Sequence, residues 1–420
     1  MPYSSMPLQD LPCLGLQGSA LSQSRRTNKR KSRGSLSEGL DTECTTTELI
    51  QQWSPRHKHQ RLICKGKENE GSQFVLARRS RRKKECTSGI SWDHLPDELL
   101  LRIFFCLPLQ DLLRMSTVCK RWYRLVFDES LWHSVDLEGM THMGAALQQV
   151  LKTGVRRLRC SRAFVEELHF TGTSPLQIVQ MDLSSSIIPT SALESIICHC
   201  RQLEYLSLEG LQLSDTIINS LAKNPNLLQL NLGGCSGFSA PALADMLASC
   251  SSIEQLNISW CEFSNNHVKN VVNHLSPSVT HLNLSGYRES LTLDDVKVLV
   301  ARCPHIQTLD LSDSTQLMAD SLPVLAQLTN LQHLSLSRCY HINPAALSDL
   351  GKTLPLLCLL DAFGLVHSCH LNSLKKEIPH ICVNSRPFSS IARPTPASRL
   401  TGSISDHTMW NKTCRLRFKL

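Results

Sequence analysis

The chain has 420 residues, 41% of them apolar, and a formal charge of +8, enough length for a large core and more than one structural unit. The charge is lopsided: residues 1–90 hold 17 Lys and Arg against 8 Asp and Glu, a net of +9, which leaves 27 against 28 for residues 91–420 and argues against a broad nucleic-acid surface on the folded part. No run reads as a signal peptide or a membrane span, and 18 cysteines in so long a chain fit free thiols in a reducing compartment better than a disulfide scaffold, so the expectation is a soluble intracellular protein.

Residues 1–90 are rich in Ser, Thr, Gln, Lys and Arg and show no sustained helix or strand period, which predicts a disordered basic region. Its clusters NKRKSR (28–33), RHKHQR (56–61) and RRSRRKK (78–84) fit either a nuclear import address or a solvated tail. Ser54, followed by Pro55 and then basic residues, is a candidate site for a proline-directed kinase.

Residues 91–133, SWDHLPDELLLRIFFCLPLQDLLRMSTVCKRWYRLVFDESLWH, pack too many large apolar side chains into too short a span to bury them all against one another. Pro96 suits a first helical turn with Asp97 and Glu98 near the positive helix end, Pro108 opens a second helix, and Val118, Trp122 and Leu125 form one face of a third. Leu131 and Trp132 are expected at the junction with the next structural unit.

From residue 134 to 384 a pattern of about 25 residues recurs some ten times. LEYLSLEG, LLQLNLGG, IEQLNISW, VTHLNLSG, IQTLDLSD and LQHLSLSR align on Leu206, Leu230, Leu256, Leu282, Leu309 and Leu334, with steps of 24, 26, 26, 27 and 25 residues. Alternation within the motif predicts a short strand, and stretches such as APALADMLASC predict helices between strands. The fold expected is an α/β solenoid: three helices, then a right-handed leucine-rich-repeat horseshoe with strands on its concave face, and a tail over 385–420. Cys200, Cys250 and Cys303 precede a central leucine by six residues, while Cys235, Cys261 and Cys339 follow one by five, a regularity that suits small buried hydrophobes and no metal site.

The motifs WDHLPDELLL, VCKRWYRL and DESLW resemble the F-box, and with LSLEGLQLSD, LNLSGYR, LDLSDS, HLSLSRCY and the tail's SSIARPT the chain resembles the F-box and leucine-rich-repeat receptors of cell-cycle control. The resemblance implies a non-catalytic receptor subunit of a Skp–cullin–F-box ubiquitin ligase, with no cofactor. Leu95, Pro96, Leu99, Leu100, Ile103 and Leu112 would meet a Skp-family adaptor, and through it a cullin and a RING subunit. Trp260, Arg288, Asp313, Arg338, Tyr340 and the tail's Phe388 would hold a small cyclin-dependent-kinase regulatory subunit as accessory and a phosphorylated cyclin-dependent kinase inhibitor as substrate. Pro387 stands where the family has a histidine. The resemblance also raises a cyclin–kinase complex as partner and a nuclear as well as cytoplasmic location, with no nucleic-acid or membrane partner. A repeat scaffold that binds partners without ubiquitin transfer is the alternative, and adaptor binding separates the two.

Overall fold

The computed structural model describes residues 92–394, apart from 142, 167 and 169–173, together with 416–417. The basic segment and Ser54 lie outside the described residues. Among the described residues, eleven short strands of one parallel sheet come after a helical module, and Leu416–Arg417 add a twelfth.

The module opens with a 3-10 turn, Trp92–His94, followed by α1 (Asp97–Phe105), α2 (Leu109–Ser116) and α3 (Lys120–Val126). Pro96 and Pro108 stand immediately before α1 and α2, where extended backbone is wanted and a missing N–H costs nothing. Leu100, Phe104, Leu109, Leu112, Leu113 and Leu125 fill the space between the helices. The Asp97 carboxylate clamps α1 to α3 by accepting from Arg121 Nε at 2.7 Å and Arg124 Nη2 at 2.6 Å. The Arg121 hydrogen bond holds the Asp97 carboxyl below the usual carboxylate range. Trp132 joins the module to the sheet: it is fully buried, its Nε1 donates to the Val126 carbonyl at 2.7 Å, and its ring stacks on Phe127 at 5.6 Å.

The strands are β1 (Ser134–Asp136), β2 (Arg157–Arg159), β3 (Gln180–Asp182), β4 (Tyr205–Ser207), β5 (Gln229–Asn231), β6 (Gln255–Asn257), β7 (His281–Asn283), β8 (Thr308–Asp310), β9 (His333–Ser335), β10 (Leu359–Asp361) and β11 (Cys382–Val383). Each lies parallel to the next, with Leu206, Leu230, Leu256, Leu282, Leu309 and Leu334 in direct register. Those leucines point to the core, and the residues on either side of each point to the opposite, helix-free face. Strands β5 to β8 end after three residues for a local reason. The third residue turns its carboxyl or amide oxygen back to the N–H two positions on: Asn231 to Gly233, Asn257 to Ser259, Asn283 to Ser285 and Asp310 to Ser312, all at 3.0–3.1 Å.

Helices α4 (Gly144–Lys152), α5 (Thr190–Ile197), α6 (Asp215–Leu221), α7 (Ala240–Ser249), α8 (Asn265–His274), α9 (Leu293–Arg302), α10 (Ser321–Leu325), α11 (Leu350–Thr353) and α12 (Ser368–Glu377) cover the core from the other side. Side-chain caps fix the starts of α6 to α9, as where Thr292 and Asp295 satisfy each other's backbone N–H groups at the head of α9. The expected helix is missing among the described residues between β2 and β3, where Phe164 and Leu176 instead bridge in parallel to Ile187 and Cys200. The cysteines at the periodic positions, Cys200, Cys235, Cys250, Cys261, Cys303 and Cys339, keep to the core, whereas Cys106, Cys119, Cys358, Cys369 and Cys382 are exposed. Cys235, Cys261 and Cys339 donate to carbonyls of the preceding repeat at 3.1–3.3 Å, and burial pushes the thiols of Cys250, Cys261 and Cys303 up to about 11. Cys198 ends α5, and its Sγ lies against His199 Nδ1.

Beyond β11 the chain turns back across the helix-free face as a strap, residues 384–394. It is fastened by Arg386 N–H on Asp361 Oδ1 (3.1 Å), Ala392 N–H on Gln255 Oε1 (3.3 Å) and Arg393 on Glu209. Leu416–Arg417 then form β12, which pairs with β1 at the far edge of the sheet.

Candidate partner-binding sites

Two sites stand apart in the fold. The first is on the helical module. Leu99 is 43% exposed and Ile103 is similar, one helical turn away on α1, while Pro96 is exposed and Leu95 half-buried beside them. Trp92, Phe105, Val118 and Tyr123 add to this exposed apolar area. Leu100 and Leu112, expected on the same face, are 0% exposed. They are core residues because α1 and α2 turn these positions toward Leu125, so they support the face from beneath. Val118 precedes α3 and lies at the surface, not on a face of that helix. Phe105 and Tyr123 were missed because an apolar pattern alone does not tell a buried side chain from an exposed one.

The second site is built by the turns after β6 to β9. Four residues after the middle of each strand from β1 to β10, the backbone enters the left-handed region: Gly139, Arg162, Ser185, Gly210, Gly234, Trp260, Gly286, Asp313, Arg338 and Gly364 all have φ between 54° and 97°. Glycine takes this conformation freely, whereas another residue costs about 1–2 kcal/mol. Trp260, Asp313 and Arg338, like Arg162 and Ser185, therefore sit where the backbone conformation favours glycine.

Each has a distinct task. Trp260 is 50% exposed and lies over Gly286, where an added Cβ would come within 2.7 Å of the indole Cδ2. Behind its turn, Phe263 stacks on Tyr287 at 5.3 Å and on His267 at 4.7 Å, which stiffens the loop. Asp313, expected at the surface, is 2% exposed; it faces inward to Arg338, whose Nε donates to Asp313 Oδ1 at 2.8 Å and whose Nη2 bonds Oδ2. That hydrogen bond raises the Arg338 pKa further and fixes its guanidinium at the rim. Arg288 and Tyr340, six residues past their strand centres, are exposed, and the Arg288 carbonyl is tied to Thr315 N–H at 3.1 Å.

Next to this rim the strap roofs a cleft of about 400 Å³ over β6–β10. Trp260, Arg338 and Phe388, the last 70% exposed, stand on its lining, as do His281, His333 and Asp310 from the strands. Burial lowers the His281 pKa and raises that of Asp310, while His333 Nε2 lies 2.7 Å from Asp361 Oδ2. The two histidines were legible, since both stand directly before a central leucine. The arrangement offers aromatic anchors and an oriented cation around a polar slot, which suits a protein segment with an acidic side chain.

Comparison with known proteins reports on both regions. The family described as "SKP2 LRR domain" matches residues 145–417, and "F-box-like" matches residues 92–138. The chain is similar to "Putative F-box/LRR-repeat protein 23" of Arabidopsis thaliana, 27% identical over 53% of this chain and 47% of that protein. It is also similar to human "F-box/LRR-repeat protein 12", 33% identical over 33% of this chain and 39% of that protein. The matched stretches thus span less than half the length of these curated relatives. Among solved structures, the leucine-rich repeat-containing protein LegL7 of Legionella pneumophila is 20% identical with a TM-score of 0.37, over 59% of this chain and 81% of that one.

Proposed function

We propose that this chain, which belongs to the family of F-box proteins with SKP2-type leucine-rich repeats, is the substrate receptor of a Skp–cullin–F-box ubiquitin ligase. The observation that carries this reading is the separation of two unlike surfaces: an apolar one on α1 around Leu99 and Ile103, and a rim of Trp260, Arg338 and Tyr340 on the repeats. The apolar surface fits a Skp-family adaptor, and through it a cullin and a RING subunit. The rim and cleft fit partners that carry acidic or phosphorylated segments. In finer detail the chain acts in the manner of S-phase kinase-associated protein two, with a cyclin-dependent-kinase regulatory subunit as accessory and a phosphorylated cyclin-dependent kinase inhibitor as substrate. Its contribution is proximity, so the chemistry of transfer needs no nucleophile here. The basic clusters before residue 91 direct it to the nucleus.

A repeat scaffold without ubiquitin transfer leaves the apolar face on α1 without a use. The test is capture of the purified full chain on an immobilised Skp-family adaptor. Stoichiometric capture of the wild type, lost in Leu99→Asp/Ile103→Asp, is expected. No capture of a folded wild-type chain would favour the scaffold.

A further inference from the structure

The strap that roofs the cleft is held by few bonds, and one residue stands at their junction. Arg393 reaches Glu209 through two bonds, Nε to Oε2 at 3.0 Å and Nη2 to Oε1 at 2.7 Å. Its third nitrogen, Nη1, donates to the backbone carbonyl of Ser389 at 2.8 Å, closing a turn in which the Ile391 N–H also meets Ser389 Oγ at 3.3 Å. Ile391 and Ala392, at the tip of that turn, are buried, whereas Arg386, Pro387, Phe388 and Ser390 are exposed. Ala392 also holds a positive φ of 52°, a conformation that costs free energy for a residue with a side chain. Beside the backbone bonds from Arg386 to Asp361 and from Ala392 to Gln255, the strap is held by the Glu209–Arg393 side-chain ion pair, with the Ser389 carbonyl on the same guanidinium.

The sequence around that serine is Arg386-Pro387-Phe388-Ser389. An arginine three residues before a serine is the charge pattern that basic-directed protein kinases accept in an acidic pocket. We propose that Ser389 is a phosphorylation site whose modification releases the strap. A basic-directed serine kinase would transfer the γ-phosphoryl group of ATP to Ser389 Oγ: the new O–P bond forms, the bond from the γ-phosphorus to the bridging oxygen breaks to leave ADP, and the hydroxyl proton goes to the kinase's base. The resulting phosphate, near two negative charges, lies within a side chain's reach of the Arg393 guanidinium and outcompetes the single charge of Glu209 for it. It also repels Glu209. Docking fails, Phe388 leaves the cleft edge, and the slot over β6–β10 opens. The kinase acts on the strap in its undocked state, and the phosphate then traps that state.

This inference deepens the receptor reading, because the strap bounds the proposed substrate cleft, yet it is tested without any partner. The full chain alone is made in four forms: unmodified, with phosphoserine installed at 389, Ser389→Ala, and Glu209→Ala. Hydrogen exchange is followed over residues 384–394. Phosphoserine and Glu209→Ala are each expected to speed exchange at least tenfold, and Ser389→Ala to leave it within twofold of the unmodified chain. Unchanged exchange in the phosphoserine form, or in Glu209→Ala, overturns the proposal. In parallel, a purified basic-directed kinase with ATP is expected to phosphorylate Ser389 in the wild type and not in Arg386→Ala; absence of phosphate at Ser389 in the wild type overturns it as well. Failure of either arm leaves adaptor capture untouched, and failure of adaptor capture does not alter strap exchange.

Discussion

Asp313, buried beneath the turn after β8, grips the guanidinium of Arg338 from the next repeat, with Nε 2.8 Å from Oδ1. A cation held this way presents one face to a partner and loses little freedom on binding. Arg338→Ala is expected to weaken docking of the proposed accessory subunit by about 2 kcal/mol, roughly thirtyfold in Kd. Asp313→Asn, which keeps the volume but drops the charge, should cost about tenfold by freeing the guanidinium. Calorimetry on the adaptor-bound chain reads both, with adaptor affinity unchanged.

Trp260 separates binding from stability in one substitution. Its left-handed backbone costs about 1–2 kcal/mol, and its ring recovers a similar amount by lying on Gly286. Trp260→Gly should therefore leave the stability of the chain within about 1 kcal/mol of the wild type while lowering partner affinity more than tenfold. Chemical denaturation and a binding titration on the same sample check it. Gly286→Ala should do the opposite: it strains a φ of 97° and displaces the indole, at a cost of about 1–2 kcal/mol.

On the helical module, the exposed and buried leucines of α1 should respond differently. Leu99→Asp with Ile103→Asp places charges on a face already open to water, so the module should stay folded and lose the adaptor. Leu100→Ala opens a cavity among Phe104, Leu112 and Leu125 and should cost about 2–5 kcal/mol of module stability. Circular dichroism melts beside adaptor capture distinguish the two outcomes.

Asp310 carries a prediction in pH. Burial raises its pKa in the folded chain above the ordinary carboxylate value, so the folded state binds more protons between those two values. Stability contributed by this group is then greatest below the unfolded pKa and falls as pH rises to the folded one. Asn257 and Asn283 make the same turn with an amide oxygen, so Asp310→Asn preserves the bond to Ser312 N–H. The variant should melt higher than the wild type at neutral pH, and the difference should shrink as pH falls through the acid range. Thermal melts at several pH values measure it.

The repeat was readable because its period is local: one leucine per strand, spaced 24 to 27 residues, fixes register through nearest neighbours alone. Trp260, Arg338 and Tyr340 could be placed on one rim by the same arithmetic. What the period does not carry is the direction of an individual side chain. Leu100 and Asp313 were expected outside and lie inside, the first because three helices close on it, the second because Arg338 supplies a countercharge. The strap and β12 were illegible for another reason. Arg393 meets Glu209 across 184 positions of sequence, and Leu416 pairs with Val135 at the opposite edge of the sheet, contacts that no local pattern announces.

The receptor account is tested most directly by ubiquitin transfer in a reconstituted ligase containing adaptor, cullin, RING subunit, charged conjugating enzyme, accessory subunit and a phosphorylated cyclin-dependent kinase inhibitor. The account predicts chains on the inhibitor that require this protein, fall at least tenfold with Arg338→Ala, and vanish with Leu99→Asp/Ile103→Asp. Assembly of the full complex with this protein, followed by transfer no faster than in its absence, would contradict it.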